Sequence, residues 1–104
     1  MDGNISNNGL KIKRNENAIW RLIDDEIVVL LPEGAQLHAL KGCGSRIWEL
    51  IEGDTSVSKI VQNICDEYEV EPPRAREEII DFFHKLEALK LIEITHATDK
   101  ETKL

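Results

Sequence analysis

A chain of 104 residues with 41% hydrophobic content can build one modest core at the usual domain size, which excludes a disordered chain. Its net charge of −7 argues against a nucleic-acid or anionic-membrane binder, which needs basic surface. No apolar run approaches the ~18 residues of a membrane span and no signal segment opens the chain, so a cytoplasmic protein is expected.

Residues 1–17 are rich in Asn and Gly, with only Ile5, Leu10 and Ile12 as isolated apolar positions, and are expected to form a disordered polar tail. A domain is then expected over residues 18–94. Ala18 to Ile23 and Glu26 to Leu31 are rich in strand-forming residues and flank the turn signal Asp24-Asp25, which predicts a hairpin. Pro32-Glu33-Gly34 turns the chain again, and Ala35 to Leu40 predicts a third, more polar strand. A weaker third strand belongs at a sheet edge, with the Val/Leu strand in the middle. Its unpaired N–H and C=O groups then become a template for another chain.

Lys41-Gly42-Cys43-Gly44 breaks the strand, and a short helix is predicted from about Ser45 to Ile51. Thr55 or Ser56 can cap a second helix, in which Val57, Ile60, Val61, Ile64, Cys65 and Tyr68 recur at helical spacing. Pro72-Pro73 opens a third helix, where missing N–H groups cost little. Leu91 to Ile94 is a short extended piece, and residues 95–104 are expected to fray.

The third helix carries more apolar surface than one contact requires. Ala75, Ile79, Phe82, Leu86 and Leu89 gather on one face, as expected of a core-facing helix, while Arg76, Ile80, Phe83 and Glu87 form a second stripe beside it. Either the rest of the domain covers Ile80 and Phe83, or a partner does. Residues 49–71 add an acidic stretch, Glu49, Glu52, Asp54, Asp66, Glu67, Glu69 and Glu71 against Lys59, which is a solvated face or a dock for a basic partner.

Three strands followed by three helices predict an α+β, winged-helix-like domain with a three-stranded antiparallel sheet. Catalytic residues are not apparent. His38, His84 and His96 are scattered, no phosphate loop is present, and no Ser or Cys nucleophile has a base at recognisable spacing. Cys43 and Cys65 lack metal-ligand spacing and are expected as unpaired thiols, so neither a metal nor a cofactor is expected.

Several segments in order resemble one family. Trp20-Arg21, Leu40-x-x-x-Gly44-x-x-Ile47-Trp48-x-Leu50, Gly53-x-Thr55-x-Val57-x-x-Ile60, Tyr68-x-Val70 and Ile79-x-x-Phe82-x-x-x-Leu86-x-x-x-x-Leu91-Ile92 are similar to the PqqD-like proteins. That is the coenzyme PQQ synthesis protein D family, recognition elements for ribosomally made, post-translationally modified peptides. Lys41 departs from a frequent Asn and Lys90 from a frequent Gly, the latter implying a helix end without the usual left-handed Gly. The resemblance implies a peptide chaperone, not an enzyme, that binds the leader segment of a precursor peptide. It presents that leader to a modifying enzyme such as a radical-SAM protein, a peptidase or a cyclase.

In that family the leader adds as a strand to the sheet edge and lies against the third helix. Carried over, the peptide-binding residues are Ala35, Gln36, Leu37, His38 and Ala39 on the edge and Arg76, Ile80 and Phe83 on the helix. Ile80 and Phe83 would receive apolar anchors. Arg76 meets an acidic leader residue or pairs with Glu77 or Glu78, and His38 faces the bound strand or solvent. The alternatives are a winged-helix DNA-binding regulator and an adaptor docking on an enzyme through the acidic face. The chain is expected to be a monomer or a homodimer.

Overall fold

The computed structural model describes residues 9–33 and 36–96. Its elements are β1 (Leu10–Arg14), β2 (Ile19–Ile23), β3 (Glu26–Leu31), β4 (Gln36–Lys41), α1 (Cys43–Leu50), β5 (Thr55–Ser56), α2 (Val57–Tyr68), α3 (Pro72–Ala88) and β6 (Ile92–His96). The fold is α+β, with two three-stranded antiparallel sheets in the strand orders β2-β3-β4 and β5-β1-β6.

The first sheet is the expected one, with β3 in the middle and β4 at an edge. Asp24 and Asp25 join β2 to β3 with φ of 50° and 67°, the two left-handed residues that a tight type I′ hairpin turn requires. Alternation then sets the faces: Ile27 and Val29 of β3 are fully buried, and Leu40 joins them from β4.

The second sheet corrects the sequence reading. Residues 10–14 are not part of a tail, because β1 is the central strand between β5 and β6, with Ile12 opposite both Thr55 and Ile94. Leu10-Lys11-Ile12-Lys13-Arg14 is a short period-2 pattern, and burying its one inward residue, Ile12 at 1% exposure, suffices to seat it. Arg14 then locks the strand to α1. Its guanidinium donates to the carbonyl oxygens of Glu49 (3.3 Å) and Trp48 (2.6 and 3.2 Å), the latter also accepting from the N–H of Ile51 (3.2 Å) at the helix end. It also lies over the rings of Trp20 (4.6 Å) and Trp48 (5.4 Å). Burial pulls the Arg14 pKa down, and Glu52 and Glu49 oppose that shift. Of the expected C-terminal tail, Thr95 and His96 belong to β6, and the rest lies outside the described residues.

The helices begin and end where local chemistry stops them. Gly42 precedes α1 at φ 56°, a conformation that suits Gly. The Ser56 hydroxyl accepts from the N–H of Lys59 and caps α2. Pro72 and Pro73 open α3, which ends at Ala88. There Lys90 itself takes the left-handed conformation, φ 67°, in place of a Gly. Asn15 braces this end by donating from its side chain to the Lys90 carbonyl (2.8 Å) and from its backbone to that of Leu91 (2.9 Å).

Candidate functional site

With Ala75 set at zero and each residue advancing about 100°, the buried positions of α3, Ala75, Ile79, Phe83 and Leu86, centre near 40°. Phe82 and Glu78 then lie on one flank of the helix, and Arg76, Ile80 and His84 on the other. The two flanks meet different things.

On the first flank, α3 faces the edge strand β4 across α1, and an open cleft of about 430 Å³ lies between them. Ala39, Leu40 and Lys41 form one wall, and Ala75, Glu78, Ile79 and Phe82 the other; Gly44, Ile47 and Ile64 lie between, with Tyr68 and Val70 at one end. The lining is mostly apolar. Gly44 is what allows α1 to approach the helix so closely, since a Cβ there would lie 3.1 Å from Cζ of Phe82. The Phe82 ring leans on the buried Phe83 ring, centroids 6.1 Å apart.

The charged groups at this cleft are mostly engaged outside it. Lys41 pairs with Glu26 at 3.8 Å and Glu78 with Arg74 at 3.2 Å, all on exposed side chains. Below the cleft Arg46 clamps α1 to α2 through two 2.9 Å bonds to Glu67, which hold the Glu67 carboxyl below its usual range and raise the guanidinium pKa. Partial desolvation, with Glu78 and Glu67 adding to it, pushes the Cys43 thiol up, the opposite of what a nucleophile needs. Among the described residues no group of three or more His, Cys, Asp or Glu could hold a metal ion.

On the second flank, Ile80 and Phe83 meet the second sheet. Ile80, Phe83 and His84 enclose a small hollow with Leu10, Ile12, Val57 and Ile94. Phe83 is 1% exposed, so it cannot form a groove wall, and the second sheet covers Ile80 only in part. The buried position of Phe83 goes against the expectation that it receives a leader side chain, whereas Ile80 is only partly buried; one step along the helix, Phe82 occupies the side open to the cleft. Arg76 also lies outside the cleft lining, and neither expected acid holds it, because Glu78 is taken by Arg74. Its Nη1 is buried without a hydrogen-bond partner among the described residues.

Of the expected edge residues, Ala39 lines the cleft, and Gln36, Leu37 and His38 continue the same strand away from it. His38 stands opposite Val29 on the core-side face of the sheet and is half-buried, while Leu37 projects from the outer face. Ala35 lies outside the described residues. Phe82, Ile79 and Glu78 are the residues on the open flank of α3 that sequence reasoning did not place at the cleft. The available signal was that Phe82 and Phe83 are adjacent and cannot share one face.

This arrangement of an unpaired strand edge, an apolar cleft and a facing helix accompanies a family match. The model of the coenzyme PQQ synthesis protein D family, PqqD, matches residues 26–92. The chain belongs to this family. Among solved structures, this family member is similar to one described as TbiB1 in complex with the TbiA(beta) leader peptide, at 34% identity and a TM-score of 0.74, covering 78% of this chain and 94% of that one. A lasso peptide synthetase B1 complexed with the leader peptide is similar at 20% identity and TM-score 0.70, over 79% and 96% of the two chains. The PqqD truncation of Methylobacterium extorquens PqqCD, described as a stand-alone recognition element for ribosomally synthesised and post-translationally modified peptides, is similar at 20% identity and TM-score 0.68, over 80% and 88%. The last two likenesses concern the fold. No curated protein matches.

Proposed function

We propose that this family member binds the leader segment of a ribosomally made precursor peptide as an added strand on β4, inside the cleft facing α3, and presents it to a modifying enzyme. The observation that carries the reading is the juxtaposition of an unpaired edge at Gln36–Lys41 with a cleft of about 430 Å³ walled by Phe82 and Ile79. The relative at 34% identity, described as complexed with a leader peptide, supports it.

Energetics explain why both parts are needed. About four backbone hydrogen bonds to the edge, each netting roughly 1 kcal/mol, only offset the roughly 2–5 kcal/mol cost of ordering a flexible peptide. They also read no sequence. Side chains projecting from alternate positions of the added strand into the cleft contribute about 1.5–3 kcal/mol each when fully buried, and they supply the selectivity. The protein acts by holding the peptide and performs no chemistry on it; the raised thiol of Cys43 fits that role.

The test is a titration with the leader of a candidate precursor peptide, followed amide by amide. Perturbations are expected along Gln36–Lys41 and on α3 from Ala75 to Phe82. Perturbations confined to Val57–Glu67, sparing β4, would refute the site.

A further inference from the structure

The outer face of the first sheet is the largest unexplained feature. Register places Ile19, Leu30 and Leu37 in one cross-strand row and Arg21, Val28 and Ala39 in the next, with Ile23 beyond them, all on the side away from Ile27 and Val29. Ile19, Ile23 and Leu37 are 56, 51 and 69% exposed, so this apolar ladder has no cover among the described residues. Solvated antiparallel sheets usually present polar residues on such a face. The charges are equally uneven. Glu26 and Lys41 neutralise one another at 3.8 Å, whereas Arg21 has no ion-pair or hydrogen-bond partner among the described residues.

We propose that this outer face docks the peptide-modifying enzyme, through an apolar patch bearing a carboxylate opposite Arg21, and that the bound leader completes the docking surface. The inference rests on the strand-addition reading above. A strand added to β4 alternates its side chains, so those not entering the cleft emerge beside Leu37 and Ala39 and extend the same apolar face. The enzyme then touches protein and leader together, and each strengthens the binding of the other.

Size and charge favour this occupant over a second copy of the chain. Three strands of this length span roughly 14 by 17 Å, on the order of 240 Å², far below the roughly 800 Å² per partner of a stable association. The net charge of −7 further opposes self-association. A transient contact enlarged by the leader suits the area available.

The experiment uses the full chain with a candidate leader peptide and its modifying enzyme, and compares wild type with Ile19→Lys and Arg21→Glu, both on β2 at the edge remote from the leader. Circular dichroism checks folding, and the milder Ile19→Thr substitutes if Ile19→Lys misfolds. Leader affinity should stay within about twofold of wild type, while enzyme affinity falls about tenfold. Wild-type enzyme affinity should rise when leader is present. Unchanged enzyme affinity in both variants overturns the proposal, as does a wild-type dimer that Ile19→Lys dissociates without altering enzyme binding. Failure of the wild type to bind leader would instead overturn the strand-addition reading.

Discussion

The carbonyl oxygen of Trp48 accepts a 2.6 Å hydrogen bond from Nη2 of Arg14, which stands 34 positions earlier in the chain. The bond joins the central strand of the second sheet to the end of the helix beneath the cleft, and the Trp20 and Trp48 rings, edge to face at 6.1 Å, enclose it. A charge-assisted bond of this kind contributes about 1.5–3 kcal/mol. Arg14→Ala is therefore expected to lower stability by about 2 kcal/mol in urea denaturation. Arg14→Lys should recover only part of the loss, because an ammonium lacks the planar fork that reaches both carbonyls and stacks on indole.

Phe82 and Phe83 separate binding from stability. Phe83→Ala removes a fully buried ring and is expected to cost about 3–5 kcal/mol. Phe82→Ala strips the cleft wall, and should weaken leader binding about tenfold at a stability cost near 1 kcal/mol. Calorimetric binding and thermal melts of the two variants distinguish the roles. The reverse pattern would restore the second stripe as the binding wall.

Gly44→Ala narrows the same cleft from the other side. The new methyl would stand 3.1 Å from the Phe82 ring, which borders open space and can swing into it. Replacing a helical Gly with Ala gains about 1 kcal/mol of propensity, which offsets the crowding. Stability should stay nearly level while leader affinity falls, and paired melting and binding curves check this.

Lys90 holds a left-handed backbone, φ 67°, with an exposed side chain. That conformation costs a non-Gly residue roughly 1–2 kcal/mol. Lys90→Gly should raise stability by about 1 kcal/mol and Tm by about 4–8 °C, read from a thermal melt.

Acid should loosen the α1–α2 clamp. Hydrogen bonds from Arg46 hold the Glu67 carboxyl below its ordinary 4.5, so the folded state binds this proton less readily than the unfolded one. The clamp's contribution is complete above that ordinary value and is lost as pH falls through the lowered one. The pair is exposed, so the effect is small. The Tm difference between wild type and Glu67→Gln should be present at neutral pH and close as pH falls through the lowered carboxyl value.

How much of this was legible in the sequence depended on the signal each element carries. The β2–β3 hairpin, the edge position of β4 and the four buried residues of α2 follow from alternation, turn residues and helical spacing, and each appears as read. β1 did not, because five residues with one buried side chain carry almost no hydrophobic signal, and its place depends on β5 and β6 far along the chain. The expectation for Phe83 follows from the same gap. Without β1 and β6, the stripe of Ile80 and Phe83 had no cover inside the domain, and a partner was assigned to it. Its surplus was a sign of the missing sheet. The cleft side of α3 was legible only as a question of helical phase between two adjacent phenylalanines.

The pairing of β1 with β6 also governs how the chain is made. Leu10 lies opposite His96, so the central strand of the second sheet leaves the ribosome early and waits for its last partner. At translation rates of about 5–20 residues per second, that wait is roughly 4–17 s. During it Ile80, and Ile12 itself, have no sheet to cover them. Nascent chains stalled before residue 92 should accordingly engage holding chaperones, and chains stalled well beyond residue 96 should release them.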